Sequence, residues 1–416
     1  MYRILPLPRD TISVSLPQSK SITHRIAILA GLNHGKSCIL NRLRSEDTQI
    51  TVDALSNMGM AHSDDSEMKV TTPIGTAINN KIFLGNSGSS ARFLLPLAAF
   101  VDRPLQFAGV ERLHQRPFSE LFSALDTLGV RYNANEQSLP ATIFPGRVKG
   151  GSITYRHLPS SQMVTALLLA ALWMENDLQV HLPEHVPSLP YILMTVNLMK
   201  RLGLAIENRG SSIWVESKPP EFDWTYTVEK DLSAASYWVV LSLINNLPIT
   251  LQGITLPSLQ GDERIFEIAE SVGGRVMLFE NRVEISGEVT KGSDIDCSDI
   301  PDLVPALSVL ALFAPSSSVF RNVKHLEYKE SNRIEALRQN IHALGGKSVY
   351  ENGNLSIKPV QKYQGAHINT HGDHRIAMSF TVAGTRIEGI SIDEPDCVQK
   401  SYPDFWKDFT SWKESA

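Results

Sequence analysis

The chain has 416 residues, with 39 Lys and Arg against 44 Asp and Glu and a formal net charge of −5. This balance argues against general binding to nucleic acid or to an anionic membrane, so affinity for anions must come from local clusters of positive charge. The length favours two domains of about 200 residues each. The longest apolar runs, residues 166–174 and 303–314, are shorter than the ~18 residues of a membrane span, and no leader-like segment opens the sequence. We expect a cytoplasmic protein in which these runs form buried helices.

Three cysteines, Cys38, Cys297 and Cys397, are isolated in the sequence. None belongs to a CxxC pair or has a basic cluster beside it, so we expect reduced, buried side chains rather than disulfides or a catalytic thiol. The sequence contains no Walker motif, no glycine-rich strand-to-helix turn of a dinucleotide site and no His/Cys metal spacing. It therefore predicts neither a cofactor nor a metal.

A polar turn followed by an apolar helix recurs about every 70 residues. In the first copy, residues 16–31, Lys20 and Ser21 begin a helix that should stop at Gly31. The other copies begin at residues 85–90, 159–162, 231–234, 300–302 and 372–375. A second series of amphipathic helices ends at Gly59, Gly129, Gly203, Gly273 and Gly345. With short alternating strands between them, these helices predict six repeats of two helices plus strands.

Cationic and hydroxyl side chains stand at or just before most of these helix starts. The unpaired N–H groups and the dipole of a helix N-terminus favour an anion there. If the starts face a common cleft, the converging cations are Lys20, Arg25, Arg92, Arg116, Lys329, Arg333, Arg375 and Lys400. Two carboxylates suited to proton transfer, Asp302 and Glu330, stand among them. This pattern predicts a small ligand with several phosphates or carboxylates.

Each motif also has a purely structural interpretation. Residues 328–334 can begin an amphipathic helix with solvated charges, in which Lys329 and Arg333 share one face. Asp373 and Ser161 can be ordinary helix caps. Their recurrence at one structural position favours the binding site.

Nine segments together resemble the EPSP synthase family, the 3-phosphoshikimate 1-carboxyvinyltransferases. In the family's order and approximate spacing, over the whole chain, they are LPQSKSITHR, LGNSGSSAR, HQRP, SSQ, SLPYI, IPD, YKESNR, GDHR and the final Lys400 with SYPDF. The resemblance implies transfer of the enolpyruvyl group of phosphoenolpyruvate to the 5-hydroxyl of shikimate 3-phosphate, with release of phosphate. Both partners are small molecules. We expect a monomer, because no coiled-coil or long edge-strand signal appears.

The resemblance also implies the fold, a two-domain α/β protein. Each domain is an inside-out α/β barrel of three repeated βαβαββ units whose helix N-termini face the interdomain cleft. The N-terminal strand of the family returns to the second domain, and the consecutive prolines in residues 218–224 favour a linker. We therefore expect a first domain of residues 19–229 and a second domain of residues 1–18 with 230–416.

Site roles follow from the resemblance, residue by residue. Shikimate 3-phosphate is expected to contact Lys20, Ser21, Arg25, Ser160, Ser161, Gln162, Ser188, Tyr191, Asp302, His325 and Lys329. Phosphoenolpyruvate is expected to contact Lys20, Asn86, Gly88, Arg116, Gln162, Arg333, His374, Arg375 and Lys400. Asp302 would accept the 5-hydroxyl proton close to Lys329. Glu330, with Lys20 or Lys400, would protonate the methylene carbon.

Four positions depart from the family pattern: Gln18 replaces a Gly, Phe93 a Pro, Leu189 a Lys and His325 an Asn. Leu189 and His325 belong to the acceptor side, which leaves open a paralogue that acts on another hydroxylated carboxylate. Gly88 is retained, and it predicts that glyphosate competes with phosphoenolpyruvate.

Two other functions are open. The sister enzyme that acts on UDP-N-acetylglucosamine uses a first-domain Cys and a Lys-Asn pair, whereas here no Cys lies near residues 114–116 and Lys20 precedes Ser21. A non-catalytic anion-binding module would have no need of Asp302, Glu330, Lys329 and Lys20, and all four are present.

Overall fold

The computed structural model describes residues 2–3 and 11–411. They divide into two compact units that we call lobes: the first lobe is residues 18–228, and the second lobe is the described residues before 18 and after 228. The chain crosses between the lobes after residues 17 and 228. Each expected domain boundary, after residue 18 or 229, lies one residue later in the sequence. Residues 1, 4–10 and 412–416 of the expected second domain lie outside the described residues.

The strands are two to six residues long. In chain order they are β1 (Tyr2–Arg3), β2 (Ile12–Ser15), β3 (Ser37–Leu40), β4 (Ala61–Asp64), β5 (Met68–Thr72), β6 (Lys81–Phe83), β7 (Leu105–Ala108), β8 (Tyr132–Ala134), β9 (Ala141–Ile143), β10 (Gly151–Thr154), β11 (Leu178–His181), β12 (Ile206–Asn208), β13 (Ser212–Val215), β14 (Trp224–Thr227), β15 (Ile249–Gln252), β16 (Gly274–Phe279), β17 (Arg282–Gly287), β18 (Asp294–Asp296), β19 (Ser318–Arg321), β20 (Lys347–Glu351), β21 (Asn354–Lys358), β22 (His367–Ile368) and β23 (Ser391–Ile392). The helices are α1 (Lys20–Gly31), α2 (Glu46–Asn57), α3 (Gly88–Leu97), α4 (Glu111–His114), α5 (Ser119–Thr127), α6 (Gln162–Ala170), α7 (Leu189–Arg201), α8 (Leu232–Asn245), α9 (Arg264–Ser271), α10 (Val304–Leu312), α11 (Arg333–Ala343), α12 (His374–Ala383) and α13 (Phe405–Thr410).

Six open sheets, one for each predicted repeat, are formed by the described residues. In the first lobe their strand orders are β14-β3-β5-β4, β6-β7-β9-β8 and β10-β11-β13-β12. In the second lobe they are β2-β15-β17-β16, β18-β19-β21-β20 and β22-β23-β1. In every sheet the first two strands named are parallel and the remaining pairings are antiparallel. The parallel pair is joined through a helix in four of the sheets, as βαβ crossovers require.

The other two sheets exchange a strand at the points where the chain passes between lobes. β2 leads into α1 along the chain but pairs with β15 in the second lobe, where Ile12 lies opposite Ile249. β14 leads into α8 but pairs with β3 in the first lobe, where Trp224 lies opposite Ser37. Each lobe therefore completes its first sheet with a strand that is distant in sequence from the rest of that sheet.

Residues 218–223 are part of the first lobe, where the expected first domain of residues 19–229 also places them. The Pro220 carbonyl accepts a 2.8 Å hydrogen bond from the His34 amide. The Phe222 carbonyl accepts one of 3.0 Å from Asn33 Nδ2. These bonds attach the segment to the end of α1 just before β14 begins.

Five helices end two residues before a glycine with positive φ, which confirms the second predicted series. They are α2, α5, α7, α9 and α11, followed by Gly59 (φ 106°), Gly129 (79°), Gly203 (77°), Gly273 (113°) and Gly345 (80°). A left-handed residue at this position is disfavoured by a Cβ and stops the helix.

The most apolar helices lie inside each lobe, as the sequence predicts. Every residue of α10 and every residue of α6 after Gln162 is buried. In the second lobe α8, α10 and α12 pack on one another, and in the first lobe α6 packs on α1 and α3. Full burial of one Leu or Ile side chain contributes about 2 kcal/mol to the free energy of unfolding. These buried helices therefore hold in place the polar residues at their N-termini, which are described in the next subsection. Among the described residues, no helix is both long and apolar enough to cross a membrane.

Candidate active site

Arg333 is the centre of a buried charge cluster in the second lobe. It is the first residue of α11, which is capped by Asn332, and the residue is 1% exposed. Its guanidinium donates to three carboxylates: Asp302 Oδ1 (2.8 Å), Glu330 Oε2 (2.6 Å) and Asp373 Oδ2 (2.8 Å). Burial lowers the Arg333 pKa, but the carboxylates outweigh burial and raise it overall.

Asp302 is held between cations from three segments. Its Oδ2 accepts from Arg375 Nη2 at 2.8 Å, its Oδ1 accepts from Arg333, and Lys329 Nζ lies 4.0 Å from Oδ1. Burial by itself raises the pKa of this carboxyl. Arg375, Lys329 and Arg333 outweigh burial and hold the pKa well below its usual range. The predicted base is therefore ionised and fully occupied by the two guanidinium groups that are expected to bind substrate.

Asp373 is a third carboxylate of this charge cluster, and the sequence gave it only a capping role. It caps α12 by accepting from the Arg375 amide (2.9 Å), and it also accepts from Ser331 Oγ (3.1 Å) and from Arg333. One carboxylate thus fixes the starts of α11 and α12 relative to each other. The sequence signal was present, as an acid directly before the His374-Arg375 pair. His374 is buried, with Nδ1 3.7 Å from Asp373 Oδ1.

Lys329 and Arg333 do not share a helix face, so that prediction is wrong. Lys329 is extended (φ −86°, ψ −162°) and follows a 3-10 turn, Lys324–Tyr328, while α11 begins only at Arg333. His325 lies in this turn, and burial together with the charge of Lys329 lowers its pKa to about 3. Its imidazole is neutral, and within the described part of the chain its Nε2 has no hydrogen-bond partner. Lys400 is buried at the end of another 3-10 turn, Pro395–Lys400.

Asp262 is a further buried carboxyl of the second lobe that the sequence did not single out. It accepts a short hydrogen bond from Ser233 Oγ at the start of α8. Burial, followed by the negative charge of Asp302, raises its pKa to about 7. It therefore titrates close to neutral pH.

Lys20 begins α1 in the first lobe and is paired with an acid from α2. Ser19 caps the helix by accepting from the Ile22 amide, and Lys20 Nζ lies 3.1 Å from Asp47 Oδ2. Both charged side chains are buried. Asp47 lies in the first turn of α2, and the pairing depends on the packing of α2 against α1.

Arg25 is buried among uncharged acceptors. Its nitrogen atoms donate to Thr195 Oγ1 (2.8 Å), the Ser21 carbonyl (2.8 Å), the Tyr191 carbonyl (2.9 Å) and Thr165 Oγ1 (3.5 Å). Burial lowers its pKa to about 10, so it remains a cation at neutral pH. Its Cζ lies 5.2 Å from the centre of the Phe93 ring, within cation–π range. Among the described residues no carboxylate pairs with this guanidinium, so its charge is not neutralised by an internal acid.

Arg92 ties together the starts of α3 and α6. Its Nη1 donates to Gln162 Oε1 (2.7 Å), and Gln162 Nε2 donates to Ser89 Oγ (3.0 Å). Its Nη2 donates to the Pro117 carbonyl (2.7 Å). The sequence counted Arg92 among the converging cations, and the structure gives it a positioning role for Gln162 and for the loop that carries Arg116.

Arg116 lies against the first residue of α3. A Cβ added to Gly88 would overlap the Arg116 guanidinium. Arg116 Nη1 also donates to the Asn86 carbonyl at 3.4 Å. Three of the residues predicted to bind a phosphate are therefore neighbours, and the glycine is required for their close approach.

The predicted phosphate-binding serines stand at the starts of α6 and α7. Ser160 Oγ accepts from the Gln162 amide at 3.3 Å. Ser188 is buried and has a left-handed backbone (φ 60°) directly before Leu189. The side chains of Ser161 and Ser188 make no capping hydrogen bond to their helices.

The model of the family described as EPSP synthase (3-phosphoshikimate 1-carboxyvinyltransferase) matches residues 10–409. The chain belongs to the EPSP synthase family. It is 36% identical over 419 residues to the 3-phosphoshikimate 1-carboxyvinyltransferase of Syntrophobacter fumaroxidans, covering 99% of each chain. It is 31% identical to the enzyme of that name from Pseudoalteromonas translucida, again covering 99% of each.

Solved structures share the fold of this EPSP synthase family member. The EPSP synthase from Acinetobacter baumannii matches with a TM-score of 0.79 at 23% identity, covering 98% of this chain and 97% of that one. The enolpyruvyl transferase NikO from Streptomyces tendae matches with a TM-score of 0.78 at 17% identity, covering 99% and 96%. The chain therefore has the two-domain α/β fold of EPSP synthases, and that fold is also found in another enolpyruvyl transferase.

None of the cysteines of this EPSP synthase family member is an activated thiol. Cys297 is buried, and burial raises its pKa and that of Cys397 to about 12. Burial also raises the pKa of Cys38, the cysteine of the first lobe. Thiols with raised pKa are poor nucleophiles at neutral pH. Among the described residues no group of three or more His, Cys, Asp or Glu could hold a metal ion.

Proposed function

We propose that this chain is a 3-phosphoshikimate 1-carboxyvinyltransferase. It would transfer the enolpyruvyl group of phosphoenolpyruvate to the 5-hydroxyl of shikimate 3-phosphate and release phosphate. The observation that carries the proposal is the name shared by relatives 31% and 36% identical over 99% of the chain. The charge cluster around Asp302 supports it with a base placed between two cations.

Arg333 and Arg375 would bind the carboxylate of phosphoenolpyruvate. Both donate to Asp302 in this structure, so the substrate carboxylate would have to compete with an internal one. When it takes over these donors, Asp302 loses the contacts that depress its pKa, and the pKa rises toward the ordinary range. Substrate binding would thereby restore the basicity of Asp302.

The family resemblance assigns the phosphate of phosphoenolpyruvate to Lys20, Asn86, Gly88 and Arg116 of the first lobe and to Lys400 of the second, with Gln162 and His374 as further contacts to this substrate. Arg116 supplies a fork that matches phosphate geometry. The retention of Gly88 next to this guanidinium supports the proposal that glyphosate competes at the same place.

The acceptor would bind chiefly through its two anionic groups. Its carboxylate would pair with Arg25 and Ser21, since that guanidinium has only uncharged acceptors in its surroundings. Its 3-phosphate would bind Ser160, Ser161 and Ser188, with Gln162 and Tyr191 along the ring. The family has an Asn where this chain has His325. Here the neutral imidazole of His325, four residues before Lys329, would take the place of the Asn side-chain amide as a hydrogen-bonding partner of the acceptor.

Asp302 would remove the 5-hydroxyl proton as that oxygen attacks the substituted carbon of phosphoenolpyruvate. Glu330, with Lys20 or Lys400, would protonate the methylene carbon, which gives a tetrahedral adduct. Loss of a proton from that methyl group and of phosphate then yields the enol ether. The cationic group around the phosphate would stabilise the charge of the leaving group.

The test is phosphate release from phosphoenolpyruvate by purified protein with shikimate 3-phosphate, with UDP-N-acetylglucosamine and without acceptor. Release that depends on shikimate 3-phosphate supports the proposal. Release only with the sugar nucleotide, or with neither acceptor, refutes it. In the latter case, a binding assay with phosphoenolpyruvate separates an inactive preparation from an enzyme that needs a different acceptor, and His325 and Leu189 become the first positions to exchange.

We also propose residues 19–229 and 1–18 with 230–416 as the two functional domains of a cytoplasmic monomer that does not bind nucleic acid. The two compact lobes support the division. Light scattering coupled to size exclusion tests the monomer directly.

A further inference from the structure

Two polar contacts, one helical turn apart, join α1 to α2 in the first lobe. Lys20 Nζ lies 3.1 Å from Asp47 Oδ2. Four residues later in each helix, His24 Nδ1 lies 2.7 Å from Thr51 Oγ1. All four residues are buried. Residues four apart lie on the same face of a helix, so a shift of one helix along the other would break both contacts at once.

The start of α3 is attached to the same face of α2. Ser90 Oγ lies 2.7 Å from Thr51 Oγ1, and the Asp47 carbonyl accepts from Ser90 Oγ at 3.4 Å. The N-cap of α3, Ser87, has its Oγ 2.7 Å from Ser90 Oγ and accepts from the Ser90 amide at 3.4 Å. The Thr51 hydroxyl thus lies between a side chain of α1 and one of α3. It links two helices whose starts are assigned to the phosphate of phosphoenolpyruvate.

A second face of α1 is held by another helix. Arg25 follows His24 directly and is therefore turned by about 100° around the helix axis. It donates to Thr195 Oγ1 at 2.8 Å and to the Tyr191 carbonyl at 2.9 Å, and both acceptors belong to α7. The hydrogen bonds of Arg25 fix α1 against α7, whereas the contact of His24 fixes it against α2. The two faces of α1 can therefore be loosened separately.

We propose that Thr51 is a positioning residue for the phosphate of phosphoenolpyruvate. Its hydroxyl holds the starts of α1 and α3 in register, so that Lys20, Asn86 and Gly88 keep a fixed spacing. This role rests on the proposed function, which assigns those three residues to that phosphate. A preorganised site binds its anion more tightly, because less order has to be imposed on binding. Since Arg25 is fixed by α7, binding of the acceptor does not depend on Thr51.

Thr51→Val tests this role in the full chain, because it replaces the hydroxyl by a methyl group of similar size. The KM for phosphoenolpyruvate should rise by about tenfold and that for shikimate 3-phosphate by less than about twofold, since the buried partners of the lost hydroxyl are left unsatisfied. Thr51→Ser keeps the hydroxyl and should restore the KM for phosphoenolpyruvate to within about twofold of the wild-type value. Thr195→Val is the matched variant on the second face of α1, and it should raise only the KM for shikimate 3-phosphate.

Calorimetric titration with phosphoenolpyruvate alone, at up to about 10 mM, measures the same effect without turnover. If thermal denaturation shows that Thr51→Val is unfolded, Ser90→Ala cuts the link to α3 and carries the same expectation.

The positioning role is overturned if the wild-type protein uses phosphoenolpyruvate and the Thr51→Val protein has the same affinity and KM for it. It is also overturned if Thr51→Val raises both KM values alike, or if Thr51→Ser restores nothing, because either result describes a general loosening of the lobe. A wild-type protein that neither binds nor turns over phosphoenolpyruvate would instead refute the proposed function, and the role of Thr51 with it.

Discussion

The two lobes differ in the hydrogen-bond partners of their buried arginines. In the second lobe, Arg333 and Arg375 are neutralised by carboxylates of the protein itself. In the first lobe, Arg25 and Arg92 donate to uncharged oxygen atoms, whereas the buried Lys20 and Arg42 pair with Asp47 and Asp64. On the proposed function, a ligand anion would meet Arg25 without having to displace an internal carboxylate, whereas it would have to displace Asp302 from Arg333 and Arg375. This difference would suit the second lobe to proton transfer, because the displacement would change the basicity of Asp302.

The largest effect should come from Asp302→Ala. Turnover should fall by about 10³-fold or more with the loss of a general base. Phosphoenolpyruvate should nevertheless bind more tightly, because Arg333 and Arg375 lose their internal competitor. Steady-state kinetics and calorimetric titration with phosphoenolpyruvate measure the two effects. Weaker binding in both Asp302→Ala and the isosteric Asp302→Asn would contradict the proposed exchange of carboxylates.

Asp373→Asn tests whether the stability of the second lobe and the orientation of Arg333 depend on the charge of the Asp373 carboxylate. Asn preserves a good helix cap but removes the charge that orients Arg333, so we expect a loss of about 3 kcal/mol in stability and a rise of about tenfold in the KM for phosphoenolpyruvate. Chemical denaturation and kinetics provide the measurements. Asp393→Asn, at a half-buried acid that accepts from the Thr370 amide nearby, is the matched control and should leave that KM unchanged.

Gly88→Ala tests the proposed phosphate site of the first lobe. The new methyl group would displace the Arg116 guanidinium, which is the flexible end of a side chain, so the fold should tolerate the change. We expect the KM for phosphoenolpyruvate to rise by about tenfold, with a stability change below about 1 kcal/mol. Gly75→Ala, where a Cβ meets nothing within 4 Å, is the control. An unchanged KM in Gly88→Ala would show that Arg116 does not bind this substrate.

Phe93→Leu tests whether the Phe93 ring stabilises the Arg25 guanidinium, which has only uncharged hydrogen-bond partners. Loss of the ring should remove about 0.5–1 kcal/mol of cation–π interaction and raise the KM for shikimate 3-phosphate by about threefold. Phe122→Leu removes a buried ring of the same lobe over which no arginine of the described residues lies, and it controls for lost volume. Equal KM values in the two variants would argue against a role of Phe93 in acceptor binding.

The smallest effect should be the pH dependence contributed by Asp262. Its folded pKa of about 7 lies above the ordinary value of 3.8. Between these values the folded protein binds the proton and the unfolded chain has lost it, so the contribution to stability falls as the pH rises through this window. Asp262→Asn should flatten that fall. Thermal midpoints of both proteins at about pH 5 and about pH 7.5 test this, and parallel slopes would contradict the raised pKa.

Much of the architecture is local in origin and could be predicted. The helix starts at Lys20 and Gly88, and the five stops at glycine, depend on caps and backbone preferences within a few residues. The same local patterns pointed to an anion site, and the nine ordered segments pointed to the family. The proline-rich residues 218–224 come shortly before the chain crosses to the second lobe after residue 228, but their hydrogen bonds to Asn33 and His34 depend on packing that prolines alone do not predict.

The sequence by itself determined the six repeats, the places where helices begin and end, and the residue types that stand there, since all of these arise from near neighbours. Only the tertiary structure decided which charges neutralise each other. Asp302 meets Arg375 across 73 residues, and Lys20 meets Asp47 across 27. The exchange of β2 and β14 between distant segments is of the same kind. Such pairings depend on how helices and sheets pack, and ion-pair energies depend on burial, which no local pattern encodes.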